Sequence, residues 1–187
     1  QTCALPIWII VIAIILIIIL WIFGTQNKLV RKRMRAENAF ADIDVHLVKR
    51  YDLIPNIVNT VKGYAKHEKE TLEGVINARN KAVSAGSVDD KINADNEVTE
   101  AISRLFALTE SYPELKANTN FLSLQEDLKN VENELAGARK YYNAAARDYN
   151  YAIAAIPDCI VAKLFKHRAM NMFSATEEQR KNVKVEF

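Results

Sequence analysis

Three histidines, His46, His67 and His167, are the residues best suited to metal or acid–base chemistry, and none has the neighbours that chemistry needs. His67-Glu68 opens like an HExxH zinc motif, but position 71 is Thr, so the second imidazole one turn on is absent. A di-iron bundle takes Glu-x-x-His from helices facing each other. The residues three places before the histidines are Ile43, Tyr64 and Leu164, so that motif fails as well. Asp42 and Asp44 would point about 200° apart on a helix and cannot share a ligand. There is no GxSxG elbow, no GxGxxG and no GxxxxGKS/T. Cys3 and Cys159 are too few and too far apart for a disulfide framework or a four-cysteine zinc site. Cys159 follows Pro157 near a helix start, where a thiolate is favoured, but a small packing residue is the plainer reading. Tyr141, Tyr142, Tyr149 and Tyr151, with Arg139 and Arg147, resemble a stacking surface for nucleic acid. A balance of 25 Lys+Arg against 23 Asp+Glu gives a net charge of only +2, too weak a field for that role, and the tyrosines fall largely on a packing seam. No catalytic residue, cofactor, metal or nucleic-acid partner is expected.

The most distinctive polar group is Arg50, Asp52, Pro55 and Asn56, four residues within seven in the middle of a helical pattern. Pro55 lacks an N–H and leaves the carbonyl of Tyr51 without its helical donor. One reading is structural: these side chains tie loosened backbone groups to a neighbouring helix, near Asn143 or Asn150. The other is functional: a bend at Asp52–Asn56 presents them to a partner or small ligand. These six residues form the candidate signature.

The elements that must carry them begin with an apolar run. Residues 1–27 hold no charged residue, and Ile7 to Phe23 read IWIIVIAIILIIILWIF. The stretch from Leu5 to Gly24 spans about 30 Å as a helix, the thickness of a hydrocarbon core. Trp8 and Trp21 bracket it like interfacial aromatics. The run is too long for a signal-peptide core, has no basic region before it and no A-x-A site after it, so a retained transmembrane helix is expected. Lys28, Arg31, Lys32, Arg33 and Arg35 follow before the first acid, Glu37. The positive-inside rule places residues 28–187 in the cytoplasm and the N-terminus outside. The same five residues would also attract anionic headgroups.

Behind the membrane segment, Gly counts 5 and Pro 4, which excludes a sandwich or barrel of many turns. Apolar residues recur at Phe40, Ile43, Leu47, Ile54, Ile57, Val61 and Tyr64, with Leu72 and Val75 beyond. The phase carries across Pro55, which predicts one long, bent helix as far as Ala85. Arg50 and Glu68 fall near the stripe, either as a buried pair or, the plainer reading, as edge residues with snorkelled stems. Residues 83–90 form a loop, and Asp89 or Asp90 caps a helix over about 91–111. Tyr112-Pro113 breaks the pattern, and Asn118, Thr119 or Asn120 caps the last long helix. That helix, about 120–156, has an apolar or Tyr residue at every seam position: Phe121, Leu124, Leu128, Val131, Leu135, Ala138, Tyr142, Ala145, Tyr149, Ala152 and Ile156. The repeat predicts coiled-coil-like packing, with alanines allowing close approach. Pro157 ends it, and Ile160, Val161, Leu164 and Phe165 form a short amphipathic helix. Val183, Val185 and Phe187 alternate as a strip able to dock.

Several ordered segments resemble a known family: RYDLIPNIVNTVKGYAKHEKETL at 50–72, YPELKANTNFLSLQEDLKNVEN at 112–133, YYNAAARDYNYAIAAIP at 141–157 and a terminal VKVEF. The order, behind a membrane helix, is similar to the LemA family of bacterial membrane-anchored proteins over about 30–187. Arg50, Asp52, Leu53, Pro55, Asn56, Pro113, Leu124, Gln125, Asn143, Tyr149, Asn150 and Pro157 stand at positions of its pattern. The resemblance implies a short N-terminal segment, one transmembrane helix and a long helical bundle, with no catalytic residue or cofactor.

The expected architecture is therefore all-α: 1–27 as N-terminal segment and transmembrane helix, 28–173 as an elongated antiparallel bundle of long coiled-coil-like helices, and 174–187 as a polar tail. The expected role is a non-enzymatic scaffold or adaptor for protein partners at the bacterial inner membrane, with a homo-oligomer possible. The alternatives are a ligand sensor or enzyme with a polar inter-helix site near Pro55, and a bilayer-organising protein using the basic juxtamembrane cluster.

Overall fold

The computed structural model describes residues 4–173, with side chains from Trp8 onward. The expected tail, 174–187, and its alternating strip lie outside the described residues. Six helices follow in order: α1 (Ala4–Tyr64), α2 (Lys69–Ser84), α3 (Val88–Thr109), α4 (Pro113–Lys116), α5 (Thr119–Ala154) and α6 (Asp158–Leu164). There is no strand among the described residues.

Helix α1 is continuous over 61 residues, with Pro55 inside it. Its apolar start is rich in β-branched isoleucine, a mediocre helix former in water. In hydrocarbon the balance changes, because every backbone N–H and C=O must be satisfied within the segment. An 18-residue window here has a mean hydropathy of 3.0 and is only 6% buried by protein. It is the one helix among the described residues that is long and apolar enough to cross a membrane.

After Phe23 the burial pattern of α1 changes to a single stripe. Leu29, Ala36, Ile43, Arg50 and Ile57 are buried at intervals of seven, with Leu47 and Ile54 between them and Val61 beyond. This is the spacing of a coiled-coil seam.

The predicted helix to Ala85 is interrupted. The chain turns at Ala65–Glu68, where the Glu68 N–H donates to the Ala65 carbonyl at 3.2 Å. The stripe loses its apolar residue there: Lys66 and His67 are exposed, and position 68 is Glu. Helix α3 starts at Val88, three residues earlier than expected, and its cap is Ser87 rather than Asp89 or Asp90. The Ser87 hydroxyl accepts from the Asp90 N–H at 3.0 Å, the N-cap bond, and donates to the Asp90 carboxylate at 2.6 Å. Asn118 caps α5, its side-chain oxygen accepting from the Phe121 N–H at 2.9 Å. Nine of the eleven seam positions in the last helix are buried; Leu124 is half-buried. Ile156 lies beyond the end of α5 and is 87% exposed.

The described residues group into two compact units. One joins α1 up to Phe40 with Tyr141–Met172; the other is Ala41–Lys140 with Phe173. In the first, Leu29, Ala152 and Ala162 form an apolar cluster, and the Phe40 and Tyr142 rings meet edge-on at 5.6 Å. In the second, α2 packs on α3, and the Phe106 and Phe121 rings meet edge-on at 6.3 Å.

Candidate functional site

Arg50 is not an edge residue. It occupies a seam position of α1 and is 1% exposed. Its Nη1 donates to Asp95 Oδ1 at 2.6 Å, and its Nη2 donates to Thr99 Oγ1 at 3.0 Å, both on α3. Nε lies 2.7 Å from Glu132 Oε1 of α5, an ion pair without good hydrogen-bond alignment. Asp95 is equally buried, and its second oxygen accepts from Arg139 of α5. Two guanidinium groups thus meet two carboxylates across three helices. Taking such charges out of water costs several kcal/mol per ion, roughly offset only when each is paired and hydrogen-bonded. The cluster therefore specifies which residues face one another more than it adds stability, as a polar residue at a coiled-coil seam does.

Tyr51 belongs to the same region. Its hydroxyl is buried with no hydrogen-bond partner among the described residues. Burial raises its pKa well above the ordinary value, and Asp95 adds to the rise while Arg50 opposes it. Glu68 does not pair with Arg50: it is half-buried and accepts from the Tyr112 hydroxyl at 3.2 Å.

The backbone group loosened by Pro55 is met from α2. Arg79 Nε donates to the Tyr51 carbonyl at 3.3 Å. Asp52 is exposed, 4.0 Å from Arg79 Nη2, and Asn56 is exposed. Beside Pro55 lies an open hollow of about 370 Å³ to which Lys62, Lys66 and Lys69 contribute. A larger cleft of about 710 Å³ lies between α3 and α5, lined by Ile102, Phe106, Leu122 and Leu128, with Gln125 and Asn130 at its polar side. Arg50 reaches its wall, but each of its donor nitrogens already faces an acceptor.

Asn150 works in the other unit. Its Nδ2 donates to the Met170 carbonyl at 2.8 Å, and its Oδ1 accepts from the Met170 N–H at 2.8 Å. Tyr142 donates to the Asn171 carbonyl at 2.7 Å, and Asn143 on the same stretch is half-buried. The Tyr149 hydroxyl lies 2.9 Å from His167 Nδ1, whose Nε2 is 3.0 Å from Gln26 Oε1. With the Gln26 oxygen accepting, Nε2 carries a proton, and the lowered pKa of His167 favours the neutral ring, in which Nδ1 accepts from the Tyr149 hydroxyl. Burial lowers the His167 pKa and Arg33 lowers it further, while burial raises that of Tyr149. The segment after α6 is thus clasped to α5 and α1 by backbone and side chain.

Three of the five basic residues after the membrane run are engaged inside the protein. Lys28 Nζ is 2.7 Å from Asp158, Arg33 is 2.8 Å from Glu37, and Arg35 donates to the Tyr141 hydroxyl at 3.2 Å. Arg31 is exposed and Lys32 half-buried. Of the four tyrosines weighed for stacking, Tyr142 and Tyr149 are buried in the seam, whereas Tyr141 and Tyr151 are exposed. Cys159 is half-buried. Among the described residues, no three His, Cys, Asp or Glu side chains are grouped to hold a metal.

Sequence reasoning missed Asp95, Glu132 and Arg79, and weighed Arg139 only for a stacking surface, whereas it pairs with Asp95. A signal for Asp95 was present: it stands in register with Val98, Ile102, Leu105 and Thr109, the buried stripe of α3.

These features define an all-helical protein with one apolar helix fit for membrane anchoring. The chain belongs to the LemA family, whose sequence model matches residues 39–187. It is 26% identical over 163 residues to Protein LemA of Metamycoplasma hominis, covering 86% of this chain and 74% of that protein. A shorter stretch of 66 residues, 35% of this chain, is 32% identical to Magnetosome protein MamQ of Magnetospirillum gryphiswaldense, covering 24% of that protein. A stretch of the same length is 33% identical to Magnetosome protein MamQ 2 of Paramagnetospirillum magneticum, again 24% of its length. None of these matches indicates an enzyme family.

Proposed function

We infer that the chain is a single-pass protein of the bacterial inner membrane, with its N-terminus outside and residues 28–187 in the cytoplasm. Its helices 28–173 form an antiparallel, coiled-coil-like bundle that serves as a non-enzymatic scaffold for protein partners. The observation that carries this is the change of burial along α1: apolar side chains exposed on every face up to Phe23, then a single buried stripe that starts at the basic cluster. The antiparallel reading is supported within each unit by its pairings. Leu29 lies with Ala152, and Phe40 with Tyr142. Arg50 lies with Glu132, and Tyr64 accepts from Asn118. The scaffold reading is supported by a seam filled with side chains and by buried charges that are already paired. Two apolar side chains on the outer side of α1 stay open in the unit Ala41–Lys140, Val45 at 56% and Val48 at 54% exposed.

A photo-crosslinking residue at Val45 or Val48, in native membranes, is expected to trap one partner of reproducible mass. Absence of any adduct at both positions would remove the scaffold role. The sensor reading keeps one specific support, the three lysines around the hollow at Pro55. Stabilisation of the protein by inorganic pyrophosphate, lost in Lys62→Ala with Lys69→Ala, would favour it.

A further inference from the structure

Helix α6 and the turn before it leave an apolar face uncovered in the unit that carries the membrane helix. Ile156, Ile160 and Leu164 follow one another at intervals of four and are 87%, 62% and 65% exposed. Phe165 is 44% exposed beside them. The opposite face of α6 is fully used, with Val161 and Ala162 buried and Ala162 packed with Leu29 and Ala152. A soluble protein covers such a strip or tolerates it at a cost in solubility.

The height of this strip along α1 is fixed by three contacts. Asp158 pairs with Lys28 at 2.7 Å, Ala162 packs with Leu29, and His167 bonds to Gln26 at 3.0 Å. Residues 26–29 follow Phe23, the last of the apolar run, by three to six positions. At 1.5 Å per residue that is about 5–9 Å along the helix. The headgroup layer outside a 30 Å hydrocarbon core is of the same depth, roughly 5–8 Å on each side. Around the strip stand exposed Lys163, Lys166 and Arg168, with exposed Arg31 on α1. An apolar edge flanked by basic side chains at the level of the headgroups is the composition of an interfacial helix.

We propose that the strip Ile156, Ile160, Leu164 and Phe165 inserts into the headgroup–acyl boundary of the bilayer that α1 crosses. Lys163, Lys166 and Arg168 meet its anionic phosphates. The occupant is lipid, and the surface gives the molecule a second membrane contact beside its anchor. The inference rests on α1 spanning the bilayer. Its consequence is mechanical: a helix that only crosses the membrane is free to tilt and spin, whereas a second contact at the interface fixes the rotation of the unit and the face it turns toward the membrane.

The test uses the full chain in vesicles of phosphatidylcholine with phosphatidylglycerol, in a background with Cys3→Ser and Cys159→Ser. A nitrobenzoxadiazole probe is placed in turn at Ile160→Cys, Leu164→Cys, Ile15→Cys and Lys129→Cys. The probes at 160 and 164 are expected to shift to the blue and to be quenched most by nitroxide lipids labelled near the headgroup. The probe at 15 is quenched most by deep labels and that at 129 by neither. Removing phosphatidylglycerol reduces the quenching at 160 and leaves that at 15 unchanged. Quenching at 15 without quenching at 160 and 164 overturns the interfacial contact and leaves the anchor standing. A blue shift at 160 without lipid quenching assigns the strip to a protein partner or a second copy and overturns it equally. No quenching at 15 overturns the anchor itself, and the contact with it.

Discussion

One helix contains two regions that solve opposite problems. Between Trp8 and Phe23, α1 turns apolar side chains outward on every face, and the exposed set includes Trp8, Ile9, Leu16 and Leu20. Between Leu29 and Val61 it buries one stripe and leaves Lys49, Asp52 and Asn59 in water. The backbone is the same; the surroundings differ. With α1 across a bilayer, as proposed, lipid supplies the apolar environment of the first region, so no partner helix is needed and hydrogen bonding inside the helix is compulsory. In the second, water supplies the driving force, and the helix is held by what packs on its stripe. The contrast also explains where a charge is tolerated. Arg50 sits in the second region's stripe because Asp95, Thr99 and Glu132 come to it from two other helices.

The contrast is broken most strongly by orphaning that charge. Asp95→Ala leaves Arg50 buried and under-paired, and is expected to lower stability by about 3–5 kcal/mol, read by denaturant melts of the detergent-solubilised chain. Arg50→Met combined with Asp95→Leu is expected to lose clearly less than Asp95→Ala alone, because no charge is then stranded. Equal losses would mean that the cluster contributes net binding energy rather than register.

A charge placed on the seam comes next. Leu128 is 3% exposed, and Leu128→Asp is expected to cost about 3 kcal/mol or more. Lys129→Asp, one residue on and exposed, is expected to stay within about 0.5 kcal/mol. Similar melting of the two variants would refute the α5 register.

The membrane-proximal clasp gives a smaller, pH-dependent effect. His167 has a folded pKa below its ordinary value of 6.5, so the unfolded chain takes up the proton first as pH falls. The clasp's contribution is complete above about pH 6.5 and is lost as pH falls through that value towards the folded pKa. The melting temperature should therefore drop more between about pH 7.5 and pH 5 in the native chain than in His167→Gln. Asn150→Ala removes both bonds to Met170 and should loosen the same segment, seen as faster amide exchange at Met170. The smallest effect belongs to Asp52→Ala and Asn56→Ala, whose side chains are exposed; each should change stability by less than about 0.5 kcal/mol.

Much of this was legible in the sequence because it rests on local periodicity. The apolar run, the α5 seam from Phe121 to Ala152, the Asn118 cap and the breaks at Pro113 and Pro157 follow from one-dimensional patterns. What failed depends on contacts distant in sequence. Arg50 resembles an edge residue until its partner Asp95, forty-five positions away, is seen beside it. The Tyr51 carbonyl left open by Pro55 was legible; its donor, Arg79, was not. Nothing in the local pattern says which residues Asn143 and Asn150 meet. Asn150 clasps Met170, an irregular segment that periodicity does not describe. The break at Ala65–Glu68 was missed because the 3–4 spacing was extended across a missing apolar residue at 68.

The account turns on α1 crossing the bilayer with the helical body on the cytoplasmic side. Single cysteines at Ala4→Cys and Lys129→Cys, with Cys3 and Cys159 replaced by Ser, are treated with a membrane-impermeant maleimide in intact spheroplasts and again after lysis. Labelling of Ala4→Cys before lysis, and of Lys129→Cys only after it, is expected. Labelling of Lys129→Cys in intact spheroplasts, or release of either variant into the soluble fraction by alkaline carbonate, would contradict it.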